Sequence, residues 1–287
     1  MSKLLMNQLA ATNMVYGRFS FEYFIESMKR LGVKNIELYA CSGHYHFWDS
    51  LEDPTPRVKK QLRQAGLKVI SLMPEENVYP VNIAAKEPEL RNKTVDLYKR
   101  FISAAVELEC PQMLLCPGRP YHNQPFSESW KYAQDSVARL TAHAEREGIN
   151  LMYENLNIKE SLLATNRFDQ FRMVQEIGSP NLKCCVDTVP VAAAGEKLAD
   201  YFSLMGEKLA HIHLNDGRPT GHMKWGDGTQ DLDEHLDAMR QYGYSGYITM
   251  EMAAGMYMTD PEPHYAKNIE TLRAHFDGGE PVSYTHL

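Results

Sequence analysis

Positive charge is in short supply in this sequence: 30 Lys and Arg stand against 37 Asp and Glu, for a formal net charge of -7. Nucleic-acid binders usually carry a basic stripe, and none is legible here, so no nucleic-acid partner is expected. The acidic balance mainly favours solubility. Cysteine is scarce too. Cys41, Cys110, Cys116, Cys184 and Cys185 make an odd number without a C-x-x-C pair. That excludes a disulfide framework and reads as reduced thiols in a cytoplasmic protein. No apolar stretch approaches the length of a membrane span, so no membrane association is expected. Residues 1–11 hold one lysine and a short apolar run, too little for a secretory signal. Low-complexity segments and an interdomain linker are absent. So is a G-x-G-x-x-G fingerprint after the first strand, which weakens a dinucleotide-binding reading.

What is present is a repeating alternation. The chain has 287 residues, 44% of them hydrophobic, enough for a large core. A first apolar run covers residues 4–9. Ser20 then opens a helix whose apolar residues Phe21, Phe24, Ile25, Met28 and Leu31 recur at spacings of three and four before Gly32. Strands are expected at 35–40, 67–73, 112–116, 149–153, 182–186, 209–214 and 247–250. Helices are expected at 57–65, 89–109, 128–147, 169–177 (capped by Thr165), 192–205, 231–242 and 262–276. About eight strand–helix units imply a parallel sheet with crossover helices. In this length they suggest an α/β fold, a closed (β/α)8 TIM barrel over residues 1–276. Residues 277–287 break the pattern. The final PVSYTHL at 281–287 reads like translated sequencing-adapter DNA and is set aside as non-native.

Active sites of such barrels lie at the C-terminal ends of the strands. Strands five to eight run into Glu154, Asp187, His213 and Glu251. Any single one is ordinarily a strand-end residue meeting solvent. Four in consecutive units are a different matter, because three carboxylates on one rim repel unless a cation neutralises them. Oxygens plus one imidazole suit a single divalent ion, Mn²⁺ first and Co²⁺, Ni²⁺ or Mg²⁺ as alternatives, better than structural zinc. Such an ion would hold a keto sugar by adjacent oxygens and stabilise the enediolate formed on proton loss. Glu154 and Glu251 are the expected acid/base pair, one removing a proton and the other returning it. Return to the same carbon from the opposite face is epimerisation; return to the neighbouring carbon is isomerisation.

With these residues in place, the sequence resembles the sugar isomerase/epimerase superfamily with the xylose-isomerase-like barrel. Within it the likeness is greatest to the fructoselysine 3-epimerase branch, with psicose/tagatose 3-epimerases as cousins. The motifs that carry it are PEENVYPVN at 74–82, MYENLNIKE at 152–160, CVDT at 185–188, GEKLAHIHLND at 206–216, HMKWGDG at 222–228, TMEM at 249–252 and YMTDPEPHY at 257–265. The resemblance implies Glu154, Asp187, His213 and Glu251 as metal ligands, with both glutamates catalytic. It implies Glu160 as a contact to substrate hydroxyls and Arg218, one place out of register, as a further substrate contact. Psicose-type relatives carry a histidine three residues after the aspartate; this chain has Pro190, which fits the fructoselysine branch better.

Position adds other candidates. Glu75, beside Glu76, follows strand three, where a carboxylate suits an ammonium-bearing sugar; a solvated loop is the plain alternative. His222 heads a glycine-rich loop expected to cover the site. His44, His46, Phe47 and Trp48 are expected either to wall the pocket or to form a homo-oligomer interface. Tyr79 and Tyr257 read as packing and His143 as surface. The partner is a small-molecule sugar. Three rivals stand beside the epimerase. A three-zinc apurinic endonuclease would need histidines where the chain has Met73, Cys116 and Pro190. A sugar or inositol dehydratase would share the first proton abstraction. A non-catalytic sugar-binding module would need no such glutamate pair.

Overall fold

The computed structural model describes residues 2–41, 43–47, 52–75 and 80–277. Trp48, Glu76, Tyr79 and the tail at 278–287 lie outside the described residues. Eight parallel strands close on themselves in chain order: β1 (Leu9–Thr12), β2 (Asn35–Tyr39), β3 (Lys68–Met73), β4 (Gln112–Leu115), β5 (Asn150–Glu154), β6 (Leu182–Asp187), β7 (Leu209–His213) and β8 (Tyr247–Met250). Parallel neighbours need crossovers. These are supplied by α1 (Phe21–Arg30), α2 (Thr55–Ala65), α3 (Pro88–Glu107), α4 (Phe126–Glu147), α5 (Arg167–Ile177), α6 (Thr188–Ala193), α7 (Leu198–Met205) and α8 (Leu232–Gln241), with α9 (Pro261–Arg273) after the last strand. Among the described residues, no helix is long and apolar enough to cross a membrane.

Local chemistry accounts for the boundaries. The Ser20 hydroxyl accepts a bond from the Tyr23 amide at the start of α1, and Phe21, Phe24, Ile25 and Met28 are buried along one face. Helix α4 ends at Gly148 with φ 71, a left-handed closure that a side chain would strain. The strands alternate between two environments, as their period of two requires. One face meets the helices in the main core. The other faces the barrel interior, where Met73, Leu114, Cys116, Met152, Leu156 and Cys185 form a separate apolar cluster. All five cysteines are free thiols, as their spacing suggests.

Three expected boundaries move. The first strand is Leu9–Thr12, not 4–9, because residues Met6–Gln8 close a 3-10 turn and Leu4 pairs with Asp277, whose amide bonds to the Leu4 carbonyl at 2.7 Å. The cap of α5 is Asn166 rather than Thr165: its side chain accepts from the amides of Phe168 and Asp169, both at 3.0 Å. The single helix expected at 192–205 is two, α6 and α7. Gly195 breaks it at φ 68, and Glu196 turns aside to accept from the Arg167 amide and the Tyr201 hydroxyl.

The seam between β8 and β1 is held from outside by Tyr265, whose hydroxyl donates toward the carbonyls of Thr12 at 2.9 Å and Met250 at 3.0 Å and accepts from the Thr12 amide. Elsewhere on the same rim, Gln170 of α5 reaches the carbonyls of Tyr153 and Cys185 with one amide nitrogen. Two strand ends are thereby fixed one residue below Glu154 and two below Asp187.

Candidate metal centre and catalytic cavity

Glu154, Asp187 and His213 are the last residues of β5, β6 and β7, and Glu251 follows β8 directly. All four are buried, and each brings a ligand atom within 4.8 Å of the others. His213 Nδ1 lies 2.7 Å from Glu154 Oε1 and 3.0 Å from Glu251 Oε2. Those three atoms nevertheless make no hydrogen bond, although they are shielded from solvent. Buried polar atoms left in this state cost about 1–3 kcal/mol each. Their convergence without mutual bonding is the arrangement a shared cation would satisfy, and mixed O and N donors suit a divalent ion of the Mn²⁺, Mg²⁺ class.

Each ligand candidate is braced. Asp187 caps α6 by accepting from the Val189 amide at 2.8 Å, and its own amide donates to Asn155 Oδ1 at 2.8 Å. The Cys116 thiol donates to Glu154 Oε2 at 3.4 Å. His222 Nε2 sits 2.7 Å from Asp187 Oδ2 and 3.6 Å from Glu251 Oε2.

Electrostatics follow from burial and crowding. Burial raises the carboxyls of Glu154 and Glu251 above the ordinary range, against the pull of His213. Burial acts the same way on Asp187, but His222 and His213 outweigh it and hold that carboxyl low. Burial would depress His213; the Cys185 thiol and the carboxylates of Glu251, Glu37 and Glu154 reverse this and raise it well above its usual value. His222, likewise opposed by burial, is pushed up to about 10 by Asp187 and Glu251. Three acids and two imidazoles thus share protons that a bound cation would displace.

Glu154, Asp187 and Glu251 open onto a cavity of about 260 Å³, where they are joined by Glu75, Glu160 and His222, with apolar walls including Met14, Met73, Leu114 and Leu156, while His213 stays buried behind them. Among the described residues, five carboxylates line it and no Lys or Arg does.

The sequence profile of the xylose isomerase-like TIM barrel family matches residues 25–275. The chain belongs to that family. Fructoselysine 3-epimerase of Shigella flexneri is 27% identical over 259 residues, covering 90% of this chain and 94% of that protein. A probable endonuclease 4 of Persephonella marina is 22% identical over 240 residues, 79% of this chain and 81% of its own. Among solved structures, D-allulose 3-epimerase from Methylomonas sp. in complex with D-allulose superposes with a TM-score of 0.76 at 18% identity, covering 96% of this chain and 99% of that one.

Against the family frame, the other sequence candidates separate. Glu160 lines the cavity, and burial raises its carboxyl. Glu75 lines it too and accepts from the Tyr39 hydroxyl. His222 closes one side, its carbonyl accepting from the Ala253 and Ala254 amides at 3.1 Å. Arg218 is exposed in the loop after β7 and is not among the cavity-lining residues. His44 is buried against Phe21 and bonded to Asn13 and the Phe19 carbonyl. Phe47 packs on Phe101 beneath Arg100. Neither lines this cavity, whose wall on that side includes Met14 and Tyr39. Tyr257 is fully buried, as expected, and donates to Asp227.

Three residues escaped the sequence reading. Glu37 and His211 are wholly buried in the barrel interior, bonded to one another at 3.0 Å. The signal was there: a carboxylate in the middle of the apolar run NIELY, and a histidine two residues before His213, on the same strand face. The third is Asp216. Its carboxylate accepts from the amides of Gly217, Gly226, Gly228 and Gln230 and so knots the loop that carries His222.

Proposed function

We propose that the chain is a divalent-metal-dependent sugar 3-epimerase acting next to a ketose carbonyl, with fructoselysine or a related ketose as substrate. The observation that carries this reading is the pair Glu154 and Glu251. Two buried carboxyls, both raised by burial, open onto one cavity from strands separated by β6 and β7. A carboxylate whose proton affinity is shifted toward neutrality can both remove and return a proton at working pH.

Glu154, Asp187, His213 and Glu251 would hold the ion, Mn²⁺ by preference. When bound, it supplies Lewis-acid polarisation of a sugar carbonyl and neutralises the crowded carboxylates. In the proposed cycle one glutamate takes the proton from the carbon beside the carbonyl, giving the enediolate. The other delivers a proton to the opposite face of that carbon. His222, at the edge of the cavity, is suited to donate to a sugar oxygen, and Glu160 to accept from a hydroxyl. Apolar walls from β3 and β4 exclude water and keep the interactions strong.

Cavity charge supports the substrate class. Five carboxylates, with no lysine or arginine among the described lining residues, would repel a phosphorylated sugar and suit a neutral or ammonium-bearing one. Glu75, on the rim opposite the metal set, is the proposed partner of such an ammonium. The endonuclease reading is disfavoured by a net charge of -7 and by Met73 and Cys116 at the third and fourth strand ends.

Incubation with fructoselysine and with free ketohexoses in D₂O plus Mn²⁺, followed by nuclear magnetic resonance, tests the proposal. Deuterium is expected at the third carbon together with the 3-epimer. Exchange at the first carbon with an aldose product would make it an isomerase, and an enone-type product a dehydratase. Absence of any C–H exchange across these ketoses would sink the enzyme reading.

A further inference from the structure

Beneath the candidate metal centre lies a second polar layer that the proposed reaction does not use. Glu37 projects from β2 into the barrel interior, and Glu37, His211, Thr249 and Ser71 are each 0% exposed. Glu37 Oε2 lies 3.0 Å from His211 Nε2 and 3.0 Å from His213 Nε2. Thr249 Oγ1 is 3.1 Å from the same His211 nitrogen. One carboxylate oxygen therefore takes both imidazoles of β7 from across the barrel.

We infer that Glu37 is a positioning residue for the metal centre: it holds His213 by its Nε2 proton and so leaves Nδ1 as the nitrogen that faces Glu154 and Glu251 and would bind a metal. The inference rests on the reading of that cluster as a divalent-metal site. An ionised carboxylate only accepts hydrogen bonds, so at 3.0 Å the facing ring nitrogen must carry the proton. In a neutral imidazole the other nitrogen is then the ligand. The contacts agree: Nδ1 is the atom 2.7 Å from Glu154 and 3.0 Å from Glu251.

Burial makes the assignment informative. A carboxylate wholly removed from water costs several kcal/mol unless it is paired, and a leucine would fill the space without that cost. If Glu37 served only to pair with His211, one ring would suffice. The geometry places the candidate ligand His213 on the same oxygen. Carboxylates that accept the free N–H of a metal-bound histidine fix its tautomer and orientation, and their loss typically costs about 10- to 100-fold in metal affinity. His211, with Thr249, keeps Glu37 aimed.

The test measures binding rather than turnover. Free Mn²⁺ is followed by electron paramagnetic resonance during titration of wild type, Glu37→Gln and Glu37→Leu, with unfolding monitored by circular dichroism. One site is expected in the wild type, weakened about 10-fold in Glu37→Gln and about 100-fold in Glu37→Leu. A variant that fails to fold is replaced by a measurement on the intact protein. In ¹⁵N spectra of the zinc-loaded wild type, His213 should show a protonated Nε2 and a metal-bound Nδ1. Wild-type affinity in a folded Glu37 variant, or a protonated Nδ1 in the zinc form, overturns the positioning role alone. Failure of the wild type to take up Mn²⁺ overturns it together with the metal-centre reading.

Discussion

The two halves of the barrel end differently on the same cavity. From β5 to β8 the strands deliver Glu154, Asp187 and Glu251, with His213 buried behind them; β3 and β4 deliver Met73, Leu114 and Cys116. The difference has a physical use. Apolar walls on one side keep water away from the carboxylates on the other, which is why burial dominates the upward shifts at Glu154 and Glu251. The candidate catalytic groups sit in one half, and the low-dielectric environment comes from the other.

The strongest way to break that division is to exchange the charges while keeping the shape. Glu154→Gln and Glu251→Gln should each lower the exchange of the substrate C–H by about 10²–10⁴-fold, the range for loss of a general acid or base. Met73→Leu, on the quiet half, conserves volume and should stay within about tenfold of wild type. Deuterium incorporation read for all three proteins decides it. Wild-type exchange in either glutamine variant contradicts the two-glutamate scheme.

A smaller effect should come from the loop on the charged half. A Cβ on Gly228 would fall 2.0 Å from Asp216 Oδ1, inside the knot that seats His222. Gly228→Ala should force the carboxylate aside at a cost of about 1–3 kcal/mol. Hydrogen exchange in residues 217–230 should accelerate, and turnover should drop by roughly tenfold as His222 loses its place beside Asp187. Unchanged protection in that segment would show the knot to be dispensable.

Glu75 is the exception that sharpens the comparison, a carboxylate on the rim of the quiet half. Glu75→Gln should raise KM for an ammonium-bearing ketose by roughly fivefold, worth about 1 kcal/mol for a half-buried pair. It should leave a free ketohexose unaffected. Equal KM changes for both substrates would assign Glu75 to the pocket wall instead.

The same asymmetry explains what the sequence revealed. Polar residues that terminate apolar runs are visible, so Glu154, Asp187, His213 and Glu251 could be placed on one rim from strand periodicity, and the barrel followed from the alternation. Glu37 was hidden because it interrupts a strand in mid-run, and its partners lie 174 and 176 residues away. Asp216 was hidden because its partners are backbone amides, which leave no mark on the side-chain pattern. The segment at 44–48 looked like either an aromatic pocket wall or an interface between copies of the chain. Yet His44 and Phe47 are drawn into packing with α1 and α3, which compete for the same apolar surface. Helix 192–205 looked continuous although Gly195 offers a local break; what fixes the break is Glu196 accepting from the Arg167 amide, 29 residues away, and from the Tyr201 hydroxyl.

The smallest expected effect bounds the comparison from outside the cavity. Ser20 caps α1 on the outer layer between β1 and β2, accepting from the Tyr23 amide at 3.2 Å. Ser20→Ala removes one satisfied amide at the helix start, worth about 1 kcal/mol. In a chain of this size that corresponds to about 2–4 °C in Tm. The rim is held by separate devices, Tyr265 at the β1–β8 seam and Gln170 beneath β5 and β6, neither of which touches the cap. Turnover and Mn²⁺ affinity of Ser20→Ala should therefore equal the wild type while the melting curve shifts. If activity fell with the melting temperature, the outer layer of the quiet half would be coupled to the catalytic rim, and the division between supporting and reacting halves would have to be abandoned.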